Sequence, residues 1–168
     1  MNHIRFSLST LLLIAIALLS SPLAWAYVDP TTGETSAGRV LRGADIPEKN
    51  WLPGHRGVDL ELAVGADVLA AEDGIVAFRG VVAGTPVISV DHADGIRTTY
   101  QPVHSLLDEG EPVARGDVIG RLGHSTDGYP GLHWGALIAR DTYINPLSLL
   151  DDPVIRLKPV DVPARRLL

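Results

Sequence analysis

The chain has 168 residues, carries Lys+Arg 14 against Asp+Glu 20 for a formal net charge of −6, and contains no cysteine. That length bounds the folded part to one core of ordinary domain size. The acidic balance without a Lys/Arg cluster argues against a nucleic acid ligand, and the lack of cysteine excludes disulfides and a thiol-linked lipid anchor.

Residues 1–26 read as a secretory signal peptide. Arg5 supplies the positive leader, residues 11–19 form an apolar run of nine, and Ala24-Trp25-Ala26 has the small-x-small form of a cleavage site. The run is short for a membrane span, which needs about 20 apolar residues. Cleavage after Ala26 leaves 168 − 26 = 142 residues and removes Arg5, so 13 basic against 20 acidic residues give a charge of −7. The expected location is secreted or in the cell envelope, with no membrane span left after cleavage.

Residues 27–50 hold Pro30, Gly33, Gly38, Gly43 and Pro47 without periodicity, as expected of a linker or N-terminal arm. From Trp51 to about Leu150, short β-branched and apolar runs alternate with Gly, Pro and Asp, which predicts an all-β domain over 51–150. Strands are expected at 67–71 and 74–79 around Glu72-Asp73, both acids being read as solvated turn residues. A hairpin is expected from 86–91 and 96–103 around Asp94-Gly95. A strand ending near Leu122 follows the Arg115-Gly116 turn, and a loop at 123–131 leads to a last strand at 132–139. Asn145-Pro146 ends the domain, and 151–168, with three Pro, reads as a tail.

Two residues of chemical interest stand four apart in a glycine-rich, non-helical setting: His55 and Asp59 in Gly54-His55-Arg56-Gly57-Val58-Asp59. An imidazole and a carboxylate there could share a metal, but six His in this chain give about half a coincidental hit at that spacing, and His104/Asp108 repeats it. On the last strand, alternation puts His133 with Gly135 and Leu137, opposite Trp134, Ala136 and Ile138. An imidazole on such a face needs a partner, either a metal or a backbone carbonyl in the core.

Taken in order, Gly54-His55-Arg56-Gly57-Val58-Asp59-Leu60, Gly74-Ile75-Val76, Val90 to Tyr100, Gly116-Asp117-Val118-Ile119-Gly120, Leu132-His133-Trp134 and Ile144-Asn145-Pro146-Leu147 resemble the M23 peptidase family, the LytM or lysostaphin type of zinc endopeptidase. The similarity covers about residues 51–149. It implies an antiparallel β-sheet sandwich or half-barrel with few or no helices, and one Zn2+ held by His55, Asp59 and His133. Two His and a carboxylate leave a fourth position for water, as a catalytic zinc requires. The implied ligand is peptidoglycan and the implied reaction is hydrolysis of its peptide crosslinks.

The departures concern proton transfer. The family's first H-x-H histidine falls on Gly131 and its Tyr-x-His histidine on Pro102, and neither residue can move a proton. His104 and His124 are the candidate substitutes, each weighed against an exposed loop position. Tyr100 could lend a hydroxyl or simply pack, and His92 reads as a hairpin-turn residue. Trp134, Tyr129 and Trp51 are candidate stacking residues at the groove, against core filling or edge covering. The function classes are therefore an exported zinc peptidase, a catalytically impaired M23-like domain that binds peptidoglycan or regulates a cell-wall hydrolase, and a β-domain whose three residues hold no metal.

Overall fold

The structure is a computed structural model that describes residues 27–151; the expected signal peptide and all but the first residue of the expected tail lie outside the described residues. Eleven strands follow one another: β1 (Val40–Arg42), β2 (Gly57–Leu60), β3 (Asp67–Leu69), β4 (Gly74–Val82), β5 (Thr85–His92), β6 (Arg97–Gln101), β7 (Val103–His104), β8 (Pro112–Val113), β9 (Val118–Leu122), β10 (Leu132–Ala139) and β11 (Thr142–Ile144). A 3-10 turn at Pro146–Leu149 is the one helical element among the described residues, and Asn145 caps it through Leu147. The larger sheet runs β1-β2-β10-β6-β5-β4-β8 with β11 beside β10; the smaller runs β3-β9-β7. Every pairing is antiparallel, so the fold is the all-β architecture that the alternating runs predict.

Period-2 alternation divides the larger sheet into a core face and an open face. Val58 and Leu60, Leu132 and Trp134, Tyr100, and Ile88 and Val90 point inward, forming one apolar cluster with Val68, Ile119, Leu122 and Val103 of the smaller sheet. Burying each such side chain contributes about 1.5–3 kcal/mol. The alternate residues, among them Asp59, His133, Gln101 and Thr99, occupy the opposite face. The core therefore fixes, by parity, which polar residues share a surface.

The course of the chain departs from the expected strands at two places. Residues 67–69 and 74–82 do not pair as a hairpin: β3 enters the smaller sheet, and β4 pairs with β5 and β8. At this change of sheet Glu72 is buried, not solvated, with Arg115 Nη1 3.8 Å away. Expected strand 96–103 is split, because Pro102 has no N–H to continue a ladder; β6 stays in the larger sheet and β7 joins β9.

Residues 27–50 lie against the domain. Tyr27 is buried and donates its hydroxyl to Asp94 at 3.1 Å, Val28 N donates to Ala71 O at 2.8 Å, and β1 pairs with β2 in the register Arg42↔Asp59.

Candidate metal centre

Strand register assembles the centre. Asp59 on β2 lies opposite His133 on β10, which lies opposite Gln101 on β6, so three polar residues form one row across adjacent strands. His55 precedes β2 and is fixed by a two-bond bridge with Asp45, at 2.7 and 2.8 Å. The result brings His55 Nε2 within 3.1 Å of Asp59 Oδ1 and 2.9 Å of His133 Nδ1, with His133 Nδ1 2.9 Å from Asp59 Oδ1.

The donor chemistry of this triangle suits a cation. His55 Nδ1 lies 2.7 Å from Gly43 O, which can only accept; the ring therefore donates there and turns the lone pair of Nε2 toward the triangle. Asp59 Oδ1 is an acceptor, and His133 Nδ1 can bring at most one proton to share between two neighbours. The ligand atoms of His55, Asp59 and His133 all lie within 4.8 Å of one another, a set able to hold a metal ion. Asp59 Oδ2 is buried without a hydrogen bond, with Arg42 Nη1 3.9 Å away. Gly57 makes room for the third ligand: a Cβ there would meet Trp134 O at 2.4 Å and His133 Nε2 at 2.7 Å.

Above the triangle is a cavity of about 70 Å³, walled by Asp59, His133, Gln101, Asp127, Tyr129 and Gly131 among others. His133 and Gln101 also line an adjoining open groove of about 410 Å³, with Thr99 and Ser89 on its floor and Arg56 and Tyr143 at its side. The three sequence-predicted ligands thus come together, with Asp59 and His133 lining the cavity and His133 also the groove.

The other candidates separate. Tyr129 is in the cavity wall with the Arg42 guanidinium 4.2 Å above its ring. Trp134 is fully buried on the core face, so its indole cannot meet a ligand, a correction to its expected place beside the groove. Trp51 is 78% exposed with Lys49 over its ring, but lines neither the cavity nor the groove. The split at Pro102 carries His104 to a separate apolar groove with Leu106 and Val118, and His124 is exposed and lines neither space. Tyr100 packs in the core; burial pushes its hydroxyl up to about 12, against the lowering effect of Thr98 and the Ala71 amide. His92 ends β5, buried and bonded to Asp73 O at 2.9 Å and Thr98 Oγ1 at 2.7 Å.

Gly131 is more than a missing histidine. Its φ is +93°, and a Cβ would stand 2.2 Å from Leu60 O and 3.1 Å from Leu41 Cδ1, so no side chain fits without displacing the backbone. Four contributors escaped the sequence reading: Arg42 and Gly43 from the lead-in arm, Gln101, and Asp127. Only Gln101 had a usable signal, since placing Tyr100 in the core puts its neighbour on the face of His133.

The fold and site define an antiparallel β domain with a His/Asp/His group beside an open groove. Residues 53–146 match Peptidase family M23, and the chain belongs to that family. An uncharacterised protein of Mycobacterium tuberculosis is 43% identical over 137 residues, 76% of this chain and 54% of that protein. Stage II sporulation protein Q of Bacillus subtilis is 30% identical over 121 residues, 68% of this chain and 38% of that protein. The catalytic domain of the antimicrobial peptidase lysostaphin from Staphylococcus simulans superposes with a TM-score of 0.52 at 25% identity, covering 66% of this chain and 88% of that domain. The chain spans about half the length of the M. tuberculosis relative and a smaller share of the sporulation protein. Its described part is a peptidase-like domain of the LytM/lysostaphin type, in which no helix is long and apolar enough to cross a membrane.

Proposed function

We propose that the protein is an exported zinc endopeptidase that hydrolyses peptide crosslinks of peptidoglycan, with one Zn2+ held by His55 Nε2, Asp59 Oδ1 and His133 Nδ1. The convergence of these three atoms carries the reading, because they share at most one proton among three lone-pair donors. When bound, zinc supplies a Lewis acid that polarises an amide carbonyl and activates water. The protein's own groups do the rest. Gly43 O keeps the His55 proton on Nδ1, and Arg42 balances the second oxygen of Asp59. The groove holds an extended peptide, and the Gln101 amide, which has no hydrogen bond within the described protein, faces both groove and cavity as a donor to the substrate carbonyl. Zinc-loaded mature protein is expected to release peptides from crosslinked peptidoglycan in a chelator-sensitive manner, and His55→Ala to abolish both zinc retention and release. Full metal content in His55→Ala would sink the site.

A second reading is favoured by Gly131, whose backbone geometry rules out a catalytic histidine there. In it, the metal-stabilised domain binds peptidoglycan or a cell-wall hydrolase without cutting. Binding to sacculi with no peptide release by the zinc-loaded protein selects this reading.

A further inference from the structure

The geometry points to Asp127 as the proton-accepting group of the centre, a carboxylate standing in for both absent histidines; this rests on the peptidase reading above. The cavity beside Asp59 and His133 is otherwise walled by Thr85, Gln101, Pro102, Thr126, Tyr129 and Gly131. Hydroxyls, an amide, a proline, a phenol and a glycine leave Asp127 as the one carboxylate there besides the candidate ligand Asp59.

Its placement is fixed from both sides. Asp127 Oδ1 accepts from Ser125 Oγ at 2.7 Å and from Tyr129 N at 3.1 Å. Thr126 Oγ1 lies 2.6 Å from Thr85 Oγ1, tying this part of the 123–131 loop to the β4–β5 hairpin. Both of these bonds fall on Oδ1, which leaves Oδ2 of this cavity-lining side chain available. Partial burial pushes the carboxyl up, but the Ser125 hydroxyl, the Tyr129 and Asp127 amides and the His133 imidazole outweigh it, leaving Asp127 below the usual carboxylate range and ionised at neutral pH.

The chemistry closes with this group alone. Water oxygen forms a bond to the amide carbon while the carbonyl π pair moves to oxygen, where the Gln101 amide can donate, and the water proton passes to Asp127 Oδ2. The oxygen pair then re-forms the carbonyl as the C–N bond breaks, and the C–N pair stays on nitrogen, which takes the proton from Oδ2 and restores the carboxylate. A carboxylate is a competent general base in such sites, and such groups contribute typically about 10²- to 10⁴-fold.

Asp127 also caps its own loop, so the test must separate that role from proton transfer. Asp127→Asn keeps an Oδ1 acceptor for Ser125 and Tyr129 and removes only the basic group. In zinc-loaded mature protein it should lower kcat on crosslinked peptidoglycan about 10²-fold or more at every pH between about 5 and 8, with KM, zinc affinity and Tm unchanged. Asp127→Glu should recover part of the rate. A second readout needs no turnover: in the Co(II)-substituted protein, Asp127→Asn should move the pH dependence of the visible spectrum to lower pH, because a negative charge beside the metal's open position is gone. Unchanged kcat, or an unmoved cobalt profile, would overturn the proposal. A moved profile in a protein whose wild type releases no peptide supports the placement of Asp127 and overturns the peptidase reading instead.

Discussion

The ligand side of the centre and the loop side that faces it are built by different physics. His133 and Asp59 sit on neighbouring strands whose register and parity are enforced by buried Val58, Leu60, Leu132 and Trp134, so a one-residue slip would send both ligands into the core. Asp127, Tyr129 and Gly131 sit on the 123–131 loop, held by a few side-chain bonds and by a positive φ. The comparison teaches that the proposed ligands on β2 and β10 are placed by the sheet, whereas the proposed proton acceptor is placed by local turn chemistry that can change without disturbing them.

The largest expected effect falls on the sheet side. His133→Ala or Asp59→Ala should cut zinc affinity by well over the roughly 10- to 100-fold typical of supporting residues, read by competition with a chromophoric chelator, while Tm moves little. Next comes the loop. Gly131→His should fail to raise turnover and should cost at least about 2 kcal/mol, read by urea unfolding, since its Cβ has no room; a stable variant with higher turnover would break the comparison. Gly57→Ala should weaken zinc about 10- to 100-fold by displacing the His133 ring. The smallest effect concerns acid. Arg97 holds the Asp91 carboxyl below its ordinary range, so this pair stabilises the sheet above about pH 4 and the contribution disappears as pH falls through the lowered value; Asp91→Asn should flatten the decline of Tm there. Both side chains, the Asp91 carboxylate and the Arg97 guanidinium, are about half exposed, which keeps that effect small.

Much of the sheet side was legible in the sequence, because alternation over 132–139 states which residues share a face and the Gly-His-x-Gly-x-Asp run needs no long-range information. The span of β10 follows from that alternation, whereas the grouping of His55, Asp59 and His133 was implied only by the resemblance to the M23 family. The remainder depended on contacts that local pattern does not encode. Trp134 reads as a groove residue until the sheet's buried face is known. His104 reads as a continuation of β6 until Pro102 ends the ladder. Glu72 reads as a turn residue until its turn proves to be a buried change of sheet. Asp127, in a Ser/Asp/Gly loop, has the composition of an ordinary solvated turn, and only the closure of that loop over the ligands sets it apart.

The carbonyl of Gly43 reaches His55 from outside the segment that matches the family, which begins at residue 53. The span of the family match is therefore smaller than the unit that prepares the centre. A domain trimmed to 53–146 would keep all three ligand side chains and lose the group that sets the tautomer of the first, along with the strand that shields Asp59. The proposed ligands would then have the right identity in an unprepared state, because a single backbone oxygen ten residues upstream of the family match orients the first of them.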